Sequence, residues 1–198
     1  MDKTAIVILA AGNSSRLGRP KQLLPYQGKT LLTHVVTEAL AASLSPVVVL
    51  TGAYQEMVQD SLRGHRVELI HNPLWETGMA SGIVAGLGKA LSIEPHLQSV
   101  IVAVCDQPYI AAELFRALVE KHAASGKGLI ACSYSETLGT PVLFDFRYFK
   151  ELSALSGDAA AKHLLRRYRD DVAAVPFPGG NIDIDTEEDF QRLSWPGA

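Results

Sequence analysis

Short apolar runs alternate with stretches of helical periodicity over residues 1–125, and this alternation constrains the fold more than any other feature. The runs at residues 5–9 and 46–50 are rich in β-branched residues, which is typical of strands buried on both faces of a parallel sheet. Strands are predicted at residues 5–9, 46–50, 67–70 and 99–104, and helices at residues 30–42, 53–62, 81–91 and 111–124. This order predicts an α/β fold, a Rossmann-like three-layer sandwich with a mostly parallel sheet.

The last third of the chain is less regular. Strands are predicted at residues 128–132, 140–144 and 171–175, and helices at residues 158–169 and 186–193. No internal repeat, low-complexity tract or linker divides the sequence, and 198 residues is an ordinary length for one domain. We therefore expect a single domain over residues 1–198.

The composition excludes several classes of protein. Hydrophobic residues make up 47% of the chain and the net charge is −3, which argues against a disordered chain and against a general nucleic-acid binder. The two cysteines, Cys105 and Cys132, have no metal-ligand spacing and give no disulfide framework. No apolar run is long enough to cross a membrane or to serve as a signal peptide. We expect a soluble cytoplasmic protein that binds neither nucleic acid nor membranes.

The loop after the first predicted strand carries most of the chemical information. Small residues at positions 10–12 allow the backbone to approach a ligand closely. The cations Arg16, Arg19 and Lys21 follow within six residues. Such a loop at the carboxyl end of a strand favours phosphate binding, although a polar loop with cations for solubility is the alternative. Its spacing is neither that of a Walker A loop nor that of G-x-G-x-x-G.

No residue is predicted to act as a covalent nucleophile. Ser14 and Ser15 lack the G-x-S-x-G setting, and we interpret them as hydrogen-bond donors to phosphate. The six histidines are scattered without zinc spacing, so none of them is assigned a catalytic role.

An acidic residue follows the fourth predicted strand. Asp106 should project from the carboxyl end of that strand into the same cleft as the loop. A carboxylate there suits Mg²⁺, which takes one or two carboxylates together with phosphate oxygens and water. Asp185 is the natural second ligand, whereas Asp183 and Asp189 are interpreted as acids at a helix start. Spacing alone does not separate Asp185 from Asp183.

Residues 9–21 resemble the signature of a known family. The segment is similar to the L-A-A-G-x-S-x-R-x-G-x-P-K motif of MobA-like nucleotidyltransferases, and within them to the molybdenum cofactor cytidylyltransferase branch. Further matches follow at residues 72–73, 78–81, 105–108, 139–141, 157–158 and 183–189. The resemblance implies a fold of the nucleotide-diphospho-sugar transferase type. It also implies that residues 1–125 bind the nucleotide and residues 126–198 the acceptor.

The resemblance also implies a reaction, the Mg²⁺-dependent transfer of CMP from CTP to a molybdopterin-type acceptor with release of pyrophosphate. Ala11 resembles the cytidylyl form of the motif, since the guanylyl branch usually has Gly there. Arg16 and Lys21 would neutralise the triphosphate. Asp106 and Asp185 would hold the metal. Arg16, Lys21 and Asp106 are therefore the candidate catalytic residues.

The candidate binding residues form two groups. The candidate nucleotide-binding residues are Leu9, Ala10, Ala11, Gly12, Ser14, Ser15, Arg16, Lys21, Thr51, Gly52, Asn72, Gly78 and Ser81. The candidate acceptor-binding residues are Gln107, Thr140, Pro141, Gly157 and Asp158. A molybdenum hydroxylase is the partner enzyme that the resemblance suggests.

Three other functions stay open at this point. The first is the same chemistry on a sugar phosphate or polyol phosphate. The second is a non-catalytic accessory protein that binds the molybdenum cofactor for a hydroxylase, and the third is a nucleotide sensor. An accessory protein needs no intact set of catalytic residues, yet Arg16, Lys21, Asp106 and Asp185 are all present.

Overall fold

The computed structural model describes residues 3–157 and 160–194. The strands are β1 (Thr4–Leu9), β2 (Pro25–Tyr26), β3 (Lys29–Thr30), β4 (Val47–Thr51), β5 (Glu68–His71), β6 (Ser99–Val104), β7 (Leu129–Tyr134), β8 (Thr137–Asp145) and β9 (Val172–Pro176). The α-helices are α1 (Leu31–Ala41), α2 (Gln55–Ser61), α3 (Met79–Ile93), α4 (Ala112–Ser125), α5 (Phe149–Ser153), α6 (Ala160–Arg167) and α7 (Glu187–Ser194). Within the described residues, no helix is both long enough and apolar enough to cross a membrane.

Seven strands form one sheet in the order β5-β4-β1-β6-β8-β7-β9. Strand β1 pairs in parallel with β4 and β6, and β4 pairs in parallel with β5. Strand β8 lies antiparallel between β6 and β7, and β9 pairs in parallel with β7. Only β8 among these seven strands runs against the others, so the mostly parallel α/β sheet predicted from the sequence is confirmed.

Helices cover both faces of the sheet because the strand residues are apolar on both sides. Alternate residues of β1 point to opposite faces. Ile6 and Ile8 pack in the cluster that includes α1 and α4, whereas Ala5 and Val7 pack in the cluster that includes α3. A fully buried aliphatic side chain of this size stabilises the fold by about 1.5–3 kcal/mol. The apolar runs that predict the strands therefore also hold the three layers together.

The strand order brings the loop after β1 next to the end of β6. Leu9 lies opposite Val104 in the parallel register of these two strands. The chain segments that leave β1 and β6 therefore start at neighbouring points on the carboxyl edge of the sheet. Ligands of open α/β sheets bind at this edge.

The predicted elements of residues 1–125 all have counterparts in the structure, with boundaries that differ by a few residues. The helix predicted at residues 158–169 corresponds to α6, although residues 158 and 159 lie outside the described part. The sequence analysis misses α5 and the β2–β3 hairpin. A five-residue helix and two-residue strands are too short to show a hydrophobic period.

Two glycines of α3 provide a matched test of helix packing on the sheet. A Cβ atom at Gly86 would collide with Val7 and lie 2.9 Å from Leu50 Cδ2, whereas one at Gly88 would meet no atom within 4 Å. We expect Gly86→Ala to lower the free energy of unfolding by about 1–3 kcal/mol because the helix must move off the sheet. Gly88→Ala should raise it by about 0.5–1 kcal/mol, since alanine favours helix. Urea unfolding measures both effects, and equal effects would contradict this packing.

Candidate active site

The loop that follows β1 is folded back on itself. Ser14 has a φ of 52°, and its carbonyl accepts hydrogen bonds from the backbone N–H groups of Leu17 and Gly18, at 3.0 Å each. Ser14 Oγ accepts a further hydrogen bond of 3.1 Å from the Lys21 backbone N–H. The Ser14 side chain therefore fixes the loop conformation and the position of Lys21.

Gln22 fastens the loop to the end of β1. Its side chain is buried, and Nε2 donates to the carbonyl oxygens of Ala10 at 3.0 Å and Gly12 at 2.8 Å. The sequence analysis did not assign Gln22 a role. This amide holds the backbone of the small-residue segment together with two backbone hydrogen bonds, from the Ala10 N–H to the Leu50 carbonyl and from the Ala53 N–H to the Ala11 carbonyl.

Lys21 joins the loop to two carboxylates from distant parts of the chain. Its ammonium group donates to Asp106 Oδ2, just after β6, and to Asp185 Oδ1 at 2.8 Å, just before α7. Arg16 donates to the other oxygen of Asp185 at 2.6 Å. The structure thus brings together the four residues Arg16, Lys21, Asp106 and Asp185.

Neighbouring charges and burial shift the pKa values of this cluster in opposite directions. Burial alone would lower the pKa of Lys21, but the carboxylates of Asp106 and Asp185 outweigh burial and raise it. Burial alone would raise the pKa of Asp185, but Lys21 and Arg16 outweigh burial and lower it. Lys21 is therefore cationic and Asp185 anionic at neutral pH.

Asp183 belongs to this cluster, which corrects its interpretation as an acid at a helix start. Thr186 caps α7, because its Oγ1 accepts from the Asp189 N–H at 3.2 Å while Asp189 Oδ2 accepts from the Thr186 N–H at 2.9 Å. Asp189 is thus the helix-start acid that the sequence predicts. Burial, followed by the neighbouring charges of Asp106 and Asp185, raises the pKa of Asp183 to about 6.

The carboxylates of Asp106 and Asp185 fit a divalent cation. One ammonium group contacts both, so they lie close enough to share a cation. Asp106 Oδ1 is buried and has no hydrogen-bond partner among the described residues. In that same part of the chain, no group of three or more His, Cys, Asp or Glu side chains is arranged to hold a metal. Phosphate oxygens and water would have to complete the ligand set, which is usual for Mg²⁺.

The loop also contacts the segment that contains α7. Arg19 pairs with Glu187 at 2.7 Å, and its guanidinium lies 5.2 Å from the centre of the Phe190 ring. Leu24 and Ile184 pack together in a small apolar cluster beneath these pairs. Residues 16–24 and 184–190 therefore form one contact surface, although they lie far apart in the sequence.

A first cavity of about 270 Å³ lies over the loop. Eight candidate residues line it: Leu9, Ala10, Ala11, Gly12, Lys21, Asn72, Gly78 and Asp106. Gln22, Trp75 and Met79 also line this cavity and were not candidates. The loop, the end of β6 and the start of α3 thus form its walls.

Six of the candidate nucleotide-binding residues do not line the first cavity: Ser14, Ser15, Arg16, Thr51, Gly52 and Ser81. Thr51 is fully buried in β4, and Gly52 packs so closely on Ala11 that a Cβ atom would collide with it. Ser81 Oγ accepts a hydrogen bond of 2.8 Å from the Asn72 amide. Thr51, Gly52 and Ser81 therefore support the cavity wall, because their groups already contact the protein.

A second cavity, of about 370 Å³, adjoins the first. Met79, Val104 and Asp106 line both cavities. The other polar or charged side chains that line the second cavity are Tyr134, Thr140, Lys162 and Asp183. Asp106 thus lies where the two cavities meet.

The predicted acceptor-binding residues are divided by the structure. Thr140 lines the second cavity, whereas Pro141 is buried and is not among the described lining residues of that cavity. The Gly157 carbonyl accepts a hydrogen bond of 3.1 Å from the Ala80 N–H at the start of α3. Asp158 lies outside the described residues.

Gln107 stabilises the wall of the second cavity. It is buried, and Nε2 donates to the Gly180 carbonyl at 2.8 Å. Hydrogen bonds with Gln107 also counter the rise that burial causes in the pKa values of Tyr134 and Asp183. Gln107 therefore holds groups of the cavity wall and is not itself part of its described lining.

Neither cysteine is a nucleophile at neutral pH. Burial raises the pKa of the Cys105 thiol and of the Cys132 thiol to about 12 each. Because the thiolate is the reactive form, these raised pKa values disfavour covalent catalysis through either thiol.

The comparison with known families decides what kind of protein carries this site. The MobA-like NTP transferase domain matches residues 6–172, which include the loop, Asp106 and most of the second cavity. This chain belongs to the MobA-like NTP transferase family. The resemblance seen in the sequence is thereby confirmed, and the chain is a member of a nucleotidyltransferase family.

Proteins similar to this MobA-like chain have differing names. The chain is 31% identical over 198 residues to the nicotine blue oxidoreductase of Paenarthrobacter nicotinovorans, covering 94% of each protein. It superposes on Rv0371c of Mycobacterium tuberculosis with a TM-score of 0.82 and 29% identity, covering 97% of each chain. A second structure of Rv0371c, at 24% identity and a TM-score of 0.81 with 96% and 97% coverage, is a manganese complex.

A third similar structure is the molybdopterin-guanine dinucleotide biosynthesis protein A of Archaeoglobus fulgidus. It has 18% identity and a TM-score of 0.65, and the alignment covers 96% of each chain. At this identity the likeness shows a shared fold.

Three residues of this MobA-like chain that line the cavities were missed by the sequence analysis, and two of them lie close to its matched motifs. Gln22 directly follows the loop motif, and Lys162 lies four residues after Asp158, on the helix that follows the matched turn. Tyr134 ends β7, and only its proximity to β8 in space connects it with the site. The signal for the first two was adjacency to a motif, whereas for Tyr134 the sequence offers none.

Proposed function

We propose that this protein transfers CMP from CTP to the phosphate of a molybdopterin-type acceptor, with Mg²⁺ as its metal ion, and releases pyrophosphate. The observation that carries the proposal is the position of Asp106, which lines both cavities and contacts Lys21. A nucleotide in the first cavity and an acceptor in the second would meet at this carboxylate. Such an arrangement suits in-line displacement, with attacking and leaving oxygens on opposite sides of phosphorus.

The proposed reaction balances without a covalent enzyme intermediate. An ionised oxygen of the acceptor phosphate attacks the α-phosphorus of CTP and forms a new P–O bond. The bond from the α-phosphorus to the oxygen that bridges it to the β-phosphate breaks, and pyrophosphate leaves with that electron pair. The acceptor oxygen is already ionised, so no general base is needed. Catalysis then consists of positioning and charge stabilisation.

The loop residues would bind the triphosphate. Arg16 and Lys21 exchange their carboxylate partners for phosphate oxygens and stabilise the charge on the departing pyrophosphate. Asp106 and Asp185, once free of these cations, would hold the metal ion, which would supply further positive charge to the site. The backbone of residues 10–12, fixed by Gln22, holds the nucleotide in the first cavity.

Several observations support the finer parts of the proposal. Ala11 resembles the cytidylyl form of the motif, which supports CTP, and Rv0371c forms a manganese complex, which supports a divalent ion here. The archaeal molybdopterin-guanine dinucleotide protein shares the fold, which supports a molybdopterin-type acceptor. A molybdenum hydroxylase as the later recipient is part of the proposal and rests on the sequence resemblance alone. We further propose one domain in which residues 1–125 bind nucleotide, since the described lining of the first cavity lies within them. Residues 126–198 would complete the acceptor site.

The test is release of pyrophosphate from each of the four ribonucleoside triphosphates, with and without molybdopterin. We expect release with CTP and molybdopterin together, loss of release when EDTA removes the metal, and a product whose mass has increased by one CMP. CTP without an acceptor is the control and should give no release.

Other outcomes would replace parts of the proposal. Release with a sugar phosphate or polyol phosphate instead of molybdopterin would overturn the acceptor, and preference for another nucleotide would overturn CTP. Reduction or oxidation of an added electron carrier without pyrophosphate release would place this chain with the reaction class named for the Paenarthrobacter relative. No release under any condition would overturn nucleotidyl transfer itself.

A further inference from the structure

The second cavity contains one cation among its described lining residues. Lys162 of α6 faces the cavity together with the acidic side chains of Asp106 and Asp183. Lys162 forms no ion pair with a described residue, whereas Lys21 is engaged by two carboxylates. Lys162 is therefore a cation at the acceptor side of the site that the proposed roles of the loop leave unused.

The position of Lys162 meets an electrostatic requirement of the proposed reaction. A phosphate dianion in the second cavity shares it with the carboxyl groups of Asp106 and Asp183, and the proposed function places no cation on Asp183. Like charges at such short range repel, and the repulsion grows as water is excluded. A cation in the same cavity offsets this cost and fixes the orientation of the phosphate.

The surface beside the second cavity is also positively charged. Lys162, Arg166 and Arg169 line an adjoining cleft of about 460 Å³ next to the start of β8, together with the acidic Glu136. Lys162 and Arg166 lie four positions apart on α6 and therefore on the same side of that helix. The cations outnumber the acidic groups among the described residues of this cleft, and such an excess raises the local concentration of anions and speeds their entry.

We propose that Lys162 binds the phosphate group of the acceptor and selects acceptors that carry a phosphomonoester over the corresponding alcohols. This inference rests on the proposed function, because it assigns the second cavity to the acceptor. The aliphatic side chains of Met79, Val142 and Leu165 line the same cavity and suit the flat face of a ring system better than a polyol, whose hydroxyl groups would lack partners there.

The experiment measures the contribution of the phosphate group to binding. Fluorescent hydroxymethylpterin phosphate and unphosphorylated hydroxymethylpterin are titrated into the full chain loaded with a non-hydrolysable CTP analogue. We expect wild type to bind the phosphate ester about tenfold or more tightly than the alcohol, because one charge-assisted hydrogen bond contributes about this much to affinity. In Lys162→Gln the ratio should fall to near one, and Lys162→Arg should restore most of it. Lys150→Gln, an equal charge change on exposed α5, is the control and should keep the wild-type ratio.

The outcomes separate this inference from the proposed function. An unchanged ratio in Lys162→Gln, or equal or absent binding of both pterins by wild type, would overturn the role of Lys162, even if CTP is consumed. Loss of the ratio in Lys162→Gln, with restoration by arginine, supports the role even if pyrophosphate release then fails with every acceptor. In that case only the proposed reaction would be overturned.

Discussion

Replacing Lys21 with methionine is expected to reduce turnover by about 10²–10³-fold, since a positioned charge at the transition state contributes on this scale. The same change should strengthen the binding of Mn²⁺ in the absence of nucleotide. The Lys21 ammonium now contacts both Asp106 and Asp185, so a metal ion must compete with it. Removal of the ammonium leaves two adjacent carboxylates, which favour a divalent cation. Pyrophosphate release measures turnover, and electron paramagnetic resonance of free Mn²⁺ measures binding.

Lys29→Met is the matched control for this experiment. Lys29 is exposed on β3, so its substitution removes the same charge away from the cluster. It should leave both turnover and Mn²⁺ binding close to wild type. Turnover within a few-fold of wild type in Lys21→Met would contradict its catalytic role. Weaker Mn²⁺ binding in that variant would contradict the competition between the ammonium group and the metal. Circular dichroism checks that the variant has folded.

Replacing Asp106 with asparagine should also reduce turnover by about 10²–10³-fold, and here Mn²⁺ binding should weaken rather than strengthen. The change keeps the shape of the side chain but removes one of two carboxylates that share a cation. Asp106 Oδ1 is buried without a partner among the described residues, so the site has a free oxygen that asparagine cannot supply as an anion. Pyrophosphate release and Mn²⁺ titration are again the measurements.

The control for Asp106→Asn is Asp60→Asn, which removes a carboxylate from the exposed pair with Arg63. That variant should behave as wild type, because exposed pairs contribute little. If Asp106→Asn retained full Mn²⁺ binding, the metal would not depend on this carboxylate. The opposite signs expected for Lys21→Met and Asp106→Asn in Mn²⁺ binding distinguish a competing cation from a ligand.

The sequence predicts the sheet strands β1, β4, β5 and β6 well because the information there is local. Apolar runs and helices alternate in this part of the chain, and the four strands are parallel to one another. The arrangement of β7, β8 and β9 depends on the reversal of β8 between β6 and β7, and no periodicity encodes that order. Lys162 reaches the second cavity only because this strand order brings α6 beside β8.

The same division applies to the candidate site. Residues 9–21 are contiguous, so a single motif predicts their chemistry. Gln22 contributes through a loop that folds back, and Asp183 through burial beside Asp106, so neither role follows from residue type or spacing. The sequence therefore predicts the chemistry of the charged groups better than the burial that controls them.

The contact between residues 16–24 and 184–190 has a consequence for how the protein is made. Arg16 and Arg19 can meet their partners Asp185 and Glu187 only after the long intervening segment has been synthesised. During translation the cationic loop leaves the ribosome before residues 184–190 and stays without these partners, while Gln22 can already hold it to β1. The nascent chain can thus begin to form its sheet before the charged cluster is complete.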